Sequence, residues 1–187
     1  TQIGLHYRSG IDHKLDGTAT ISNLSGPLEG VNGTTGSSTE LSFPAIAAIS
    51  LSYDLNEAWK LLAELQWFDW STFDEIRIEF DNGSPDNVRP QGYKDTLTAG
   101  LGLEYAINPK WTIRTGIQFD ESPAVDDFRS SSIPDSDQVW IGFGASFRSS
   151  DKLIVDMGWV HSNYKSATID LNIPFYAGTP LSGTVNV

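Results

Sequence analysis

Residues 96–120 read TLTAGLGLEYAINPKWTIRTGIQFD. They hold two runs of alternation joined by the short link Asn108–Lys110. In the first run Leu97, Ala99, Leu101, Leu103, Tyr105 and Ile107 take one side, and Thr98, Gly100, Gly102 and Glu104 take the other. In the second, Trp111, Ile113, Ile117 and Phe119 stand against Thr112, Arg114, Gln118 and Asp120. A period of two belongs to a β-strand with one apolar face. Each run has roughly ten residues or more, the length a tilted strand needs to cross a bilayer. Strands of ordinary globular proteins average about 5–6 residues.

The pattern recurs on both sides of this hairpin. Residues 43–54 place Phe43, Ile49, Leu51 and Tyr53 against Ser50, Ser52 and Asp54. Residues 59–69 place Trp59, Leu61, Leu65 and Trp67 against Lys60, Glu64 and Gln66. Residues 138–148 and 153–160 continue it with Ile141, Phe143, Phe147, Val155, Met157 and Trp159. Weaker strands are read at about 2–8 and 13–22, with a turn near Ser9–Asp12. No helical period appears. Short links at Leu55–Ala58, Asn108–Lys110 and Ser149–Lys152 alternate with long segments at about 23–42, 71–95 and 121–137. That alternation is the mark of an all-β, antiparallel up-and-down transmembrane β-barrel, with tight periplasmic turns and long extracellular loops. Greek-key links make it rare in a soluble sandwich. In this reading 2–8 run down toward the short turns, 13–22 up, 43–54 down, 59–70 up, and so on. Tyr53, Trp59, Tyr105 and Trp111 then mark one membrane interface, and Trp67, Phe119 and Trp159 the other.

Composition narrows the function. The net charge of −12 over 187 residues opposes binding to nucleic acid, which needs clustered Lys and Arg. No cysteine is present, so thiolate chemistry is absent. No apolar run approaches the roughly 20 residues of a membrane helix, which leaves a barrel open because only every second strand residue faces lipid. His6, His13 and His161 follow no metal-ligand spacing. No nucleophile-elbow motif is present, so enzyme activity is not expected, and neither is a cofactor or a bound metal.

The stretches GLHYRSGIDHKLDG (4–17), LQWFDWSTFDEIRIEFDNG (65–83), YKDTLTAGLGLEY (93–105), WTIRTGIQFDESP (111–123) and IPDSDQVWIGFGASF (133–147) resemble those of a known family. These are the FadL-type outer-membrane transporters for long-chain fatty acids and other hydrophobic compounds. The resemblance covers nearly the whole chain. It implies a fourteen-stranded barrel with an N-terminal hatch inside. It also implies passive passage from an extracellular site to an interior pocket, then sideways through the wall beside a kinked strand. About eight membrane strands are read here. Residues 1–187 are therefore expected to be a single β-barrel segment, without the hatch, the early strands and the final strand. The expected partners are a fatty acid or other hydrophobic small molecule, outer-membrane lipid, and the rest of the barrel with its hatch. The expected location is the bacterial outer membrane. Open sheet edges in lipid have no water to bond, so the segment is not expected to be stable there alone.

Candidate residues fall into three groups. Glu64, Glu104, Arg114 and Asp156 are expected in the lumen, as a polar route or hatch contact, or simply as a charge-compensated interior. Lys94 falls on the inward register just above the membrane. An ammonium there offers a point charge to an entering carboxylate, or pairs with Asp95 or a nearby acid. Trp70, Phe73, Ile76, Ile78 and Phe80 form the third group. They are read as a landing surface for an acyl chain, or as a strand carried above the membrane beyond Ser71 and packed on other loops. The acids of 120–137 suggest a calcium site only loosely, because the spaced EF-hand pattern is missing; a solvated acidic loop salted to Arg129 is the plainer reading. Two other functions stay in view: a structural or adhesin-like barrel, and a soluble all-β ligand-binding module.

Overall fold

The computed structural model of the chain describes residues 1–131, 133–171 and 181–185. The strands are β1 (Gln2–Arg8), β2 (Ile11–Ile21), β3 (Gly33–Phe43), β4 (Ile46–Asp54), β5 (Trp59–Phe68), β6 (Glu75–Phe80), β7 (Asn87–Pro90), β8 (Thr96–Asn108), β9 (Trp111–Asp120), β10 (Gln138–Ser150), β11 (Leu153–Tyr164), β12 (Ala167–Leu171) and β13 (Leu181–Val185). The helical turns among the described residues are two short 3-10 pieces, Gly26–Val31 and Trp70–Thr72.

Seven strands make one antiparallel wall in the order β1-β4-β5-β8-β9-β10-β11. Two of the short turns use the same device. Asn56 Oδ1 accepts the N–H groups of Ala58 and Trp59 at 2.9 and 3.0 Å. Asn108 Oδ1 accepts those of Lys110 and Trp111 at 2.9 and 3.0 Å. An Asn side chain that imitates a backbone turn closes the link in a few residues.

The start of the chain differs from the sequence reading. Ser9–Asp12 is not a turn. β1 pairs with β4 with Gln2 opposite Ser52 and Arg8 opposite Ile46, so β1 runs away from the short turns, opposite to the expected direction. β2 continues that course and pairs with β3 along its whole length, from Ile11–Phe43 to Ile21–Gly33. The segment 13–22 therefore lies beyond the wall, which holds seven strands rather than about eight among the described residues. The misreading has a cause: Gly10 punctuates the sequence like a turn residue, while Pro44 reads as the interior of a strand over 43–54. Instead they sit at the crossing from wall to outer sheet, where a Cβ on Gly10 would come within 3.0 Å of the Phe43 carbonyl oxygen. Proline lacks the N–H that a ladder would need.

The outer sheet has the order β2-β3-β6-β7. The chain does not run straight from β5 into it, since the turn Trp70–Thr72 intervenes before β6. β12 continues from β11 and pairs with β13.

Cα partners place Ile3, Leu51, Ala63, Leu101, Ile117, Ile141 and His161 in one row across the wall. Leu51 stands four residues from Leu55 at the nearest short turn, and His161 nine from Lys152. The row thus climbs by about 17 Å along the strands at 3.4 Å per residue. A row that climbs means tilted, staggered strands, the shear that barrel closure requires. The apolar side of this wall is open: Leu5 is 81% exposed, Met157 59% and Leu101 59%. No large side chain among the described residues is fully buried.

Candidate functional site

The wall's other face is concave and encloses a depression of about 980 Å³. Its floor is backbone. Gly102, Gly116 and Gly142 are Cα partners in one row, with Gly144 and Gly158 paired in the next row but one. Leu62, Val160 and Trp140 supply apolar sides.

Nearer the short turns a polar ladder crosses six strands, from β4 to β11. Lys60 reaches Asp54 at 3.8 Å and Glu104 at 3.9 Å. Arg114 Nε donates to Glu104 at 2.6 Å, and its Nη1 donates to Ser146 Oγ at 2.5 Å. Ser146 Oγ in turn donates to Asp156. The register explains the meeting, since Glu104 faces Arg114 directly and Ser146 faces Asp156 directly. Of the four lumen residues read from sequence, Glu104, Arg114 and Asp156 come together through Ser146. Glu64 stands apart and accepts from Gln66 on its own strand.

Above the wall, the loops form a cap. Trp70, Phe73 and Tyr93 cluster, with ring centroids 6.5, 6.0 and 5.2 Å apart. Burial, and then the negative charge of Asp135, raises the Tyr93 phenol above its usual pKa. Asp95 Oδ1 accepts the Ser71 N–H at 3.0 Å, fixing the turn that carries Trp70. That backbone donor, with help from the Ser71 and Trp67 side chains, holds the Asp95 carboxyl below its usual pKa. Gly92 has φ +52°, and a Cβ there would meet the Phe128 ring at 2.5 Å.

A second crevice, of about 510 Å³, opens beside this cluster between loop 121–137 and the β11–β12 junction. Lys94, Arg129, Lys165, Ser136 and Asp137 are among its lining residues. The Lys94 N–H donates to the Pro123 carbonyl at 3.0 Å. Ser122 donates from its N–H to Asp137 at 3.0 Å and from its hydroxyl to Asp135 at 2.8 Å. Lys165 pairs with Asp137 at 3.1 Å and lies 5.2 Å above the Phe119 ring. Burial acts to raise the Asp137 carboxyl, but the Ser122 N–H and Lys165 outweigh it and the pKa falls.

The sequence model of the family described as "Outer membrane protein transport protein (OMPP1/FadL/TodX)" matches residues 1–186. The chain belongs to this family. The long-chain fatty acid transport protein of Escherichia coli O6:H1 (strain CFT073) is 30% identical over 165 residues, which are 83% of this chain and 37% of that protein. The 47 kDa outer membrane protein of Pasteurella multocida (strain Pm70) is 28% identical over 186 residues, 93% of this chain and 43% of that one. The chain thus spans less than half the length of these two relatives. A crystal structure of a Pseudomonas aeruginosa FadL homologue superposes with a TM-score of 0.85 at 23% identity, covering 97% of this chain and 45% of that chain. The fold is therefore that of an antiparallel transmembrane β-barrel wall, and the place of this OMPP1/FadL/TodX family member is the bacterial outer membrane. The open apolar side of the wall is its lipid face.

Within the family frame, the third group of candidate residues splits. Trp70 and Phe73 join the aromatic cluster with Tyr93. Ile76, Ile78 and Phe80 share one face of β6 and are half-buried in the outer sheet, where Ile78 faces Thr39 and Phe80 faces Ser37. Lys94 is off the strand register, in the coil before β8, and lines the crevice rather than the concave wall. Asp95, its expected partner, is taken by Ser71, and no ion pair of Lys94 is found among the described residues. Arg129 was read as salted to the acidic loop; it pairs with Asp126, but it is buried rather than solvated. Tyr93 and Ser122 were not singled out in the sequence. The signal for Tyr93 is its place beside Lys94 with Gly92 before it; Ser122 offers none, because its partners lie beyond an irregular loop.

Proposed function

We propose that this chain is part of the wall and extracellular cap of a channel for passive uptake of hydrophobic compounds, long-chain fatty acids among them. The observation that carries the reading is the pairing of two spaces: an apolar concavity floored by glycine, and an external cap holding an aromatic cluster beside a crevice that Lys94 lines together with two compensated cations, Arg129 and Lys165. A hydrocarbon chain suits the first and an anionic head group suits the second. The matched E. coli protein is named for long-chain fatty acid transport, which supports this substrate class.

In this reading Lys94 meets the carboxylate, and Trp70 and Phe73 with the Ile76, Ile78 and Phe80 face of β6 receive the acyl chain. Glu104, Arg114 and Asp156 keep the lumen wall charge-compensated, and Glu64 adds a polar group above them. The 187 residues form one barrel segment of a larger, fourteen-stranded protein whose hatch and remaining strands lie outside it. No catalytic step is assigned.

The test is uptake of a labelled long-chain fatty acid by liposomes carrying the full-length protein. Uptake above empty liposomes is expected. Equal uptake overturns the transport reading and leaves a structural or adhesin-like barrel. Lys94→Ala in the full-length protein should weaken carboxylate ligands more than neutral hydrocarbons; equal effects remove the head-group role.

A further inference from the structure

Arg129 is the one charged residue in the buried set of described residues, at 7% exposure. Its guanidinium is met from three separate segments. Nη2 donates to the Ala124 carbonyl at 2.8 Å, Nε to the Asp135 carbonyl at 2.8 Å and Nη1 to the Thr168 carbonyl at 2.7 Å. Nη1 also pairs with Asp126. Ala124 and Asp135 lie toward the two ends of loop 121–137, and Thr168 lies on β12. The Asp170 N–H, also on β12, donates to the Asp126 carbonyl at 3.0 Å.

A buried cation is strongly destabilising unless its donors are met. Here four contacts engage a group with five N–H donors, so the burial is compensated by fixing backbone positions rather than by charge pairing alone. The consequence reaches Lys94. Ala124, held by Nη2, follows Pro123, whose carbonyl accepts the Lys94 N–H. On the far side, Thr168 lines the same crevice two residues beyond Ser166 and three beyond Lys165. The guanidinium therefore spans the two banks of the crevice.

We propose that Arg129 is a positioning residue: by clasping loop 121–137 to β12 it sets the separation of Lys94 from the Lys165–Asp137 pair, and so governs the preference for anionic over neutral substrates. The substrate part of this statement rests on the proposed uptake function; the clasp does not. Arg129 touches no substrate in this arrangement. Its planar fork matters more than its charge, because a lysine ammonium cannot bridge three carbonyls fixed in different directions.

The experiment uses the full-length protein in liposomes and two variants, Arg129→Lys and Asp126→Asn. Hydrogen exchange reads the clasp. Arg129→Lys should expose the Lys94 and Asp170 amides while the β8–β9 hairpin amides stay protected. Unchanged exchange at both amides overturns the clasp, and loss of hairpin protection as well shows general unfolding and also counts against it. Uptake reads the consequence. The ratio of labelled fatty acid to a neutral hydrocarbon should fall about twofold to thirtyfold in Arg129→Lys, the range seen when a coupling residue is changed, and less in Asp126→Asn. An equal loss of both substrates, or full activity with Lys, overturns the positioning role. If the unaltered protein takes up neither compound, the transport reading fails instead, and the exchange result still decides the clasp.

Discussion

The wall and the cap reverse each other's solvent logic. In the wall, large apolar side chains such as Leu5, Leu101 and Met157 are exposed, while the opposite face carries glycines and a charged ladder. In the cap, the buried residues mix polar Ser122, Arg129 and Ser136 with small or apolar Ala124, Ala167 and Ile169. The wall needs few long-range side-chain contacts because lipid covers its apolar stripe and the ladder satisfies the backbone groups between its paired strands. The cap stands in water, and beside its outer sheet its loops are held by hydrogen bonds between residues far apart in sequence. Damage to one region should therefore leave the other standing, and each region should respond to a different insult.

The largest effect is expected from a charge on the lipid stripe. Leu101→Arg in the full-length protein should cost about 2–4 kcal/mol, the range for a cation near the bilayer midplane, measured by denaturant unfolding from lipid vesicles. Thr20→Arg on the exposed outer sheet should stay within about 0.5 kcal/mol. Similar costs for the two would erase the distinction between lipid-facing wall and water-facing cap.

Next comes the ladder. Arg114→Ala leaves the Ser146–Asp156 pair without its cation and Glu104 with only the longer contact to Lys60. It should cost about 1–3 kcal/mol, the range for a lost charged hydrogen bond, toward the low end because the concavity is open to solvent. Removing Glu104 as well should recover part of that loss in a double-mutant cycle.

Gly92→Ala tests the cap alone. Its positive φ and the Phe128 ring both oppose a Cβ, so about 1–2 kcal/mol of local stability should be lost. Limited proteolysis should then cut loop 121–137 faster while the unfolding midpoint of the wall is unchanged.

The smallest effect is on pH. Asp95 and Asp137 have depressed pKa values in the folded cap. Their contribution is fully present above the ordinary carboxylate value of about 3.9 and is lost as pH falls through the lower folded value. Amide exchange of Ser71 and Ser122 should therefore keep its protection at pH 5 and lose it only below about pH 4, before any change in the wall. Asp137→Asn should remove the pH dependence at Ser122.

The same contrast explains what could be read from the sequence. Six of the seven wall strands announce themselves by alternation, because one face meets lipid and the other does not. The shared face of Glu104 and Arg114 follows from the same alternation, but their pairing does not, because the ladder shifts by one residue between Ala106 and Asn108. β1 was legible as a strand but not in direction, since Gly10 looks like a turn residue when its partner strand is unknown. The cap was legible only in pieces. Ile76, Ile78 and Phe80 alternate, so β6 showed; its pairing with β3 did not. The link from Arg129 to Thr168 leaves no period to find, because it depends on a loop meeting β12 in space.

The row formed by Gly102, Gly116 and Gly142 has one more implication. A stretch of wall without side chains has no side-chain torsion angles to rotate, so its shape follows the hydrogen-bonded ladder alone. The inner surface over these three strands is consequently a fixed gauge, flanked in the same row by the side chains of Leu62 and Val160. Gly116 holds the tightest tolerance of the three, since an added Cβ would lie 3.0 Å from the Leu101 carbonyl oxygen. Adding a methyl group there would recalibrate the tube by distorting the ladder, whereas at Gly142, with no atom nearer than 3.9 Å, it would simply shave the clearance.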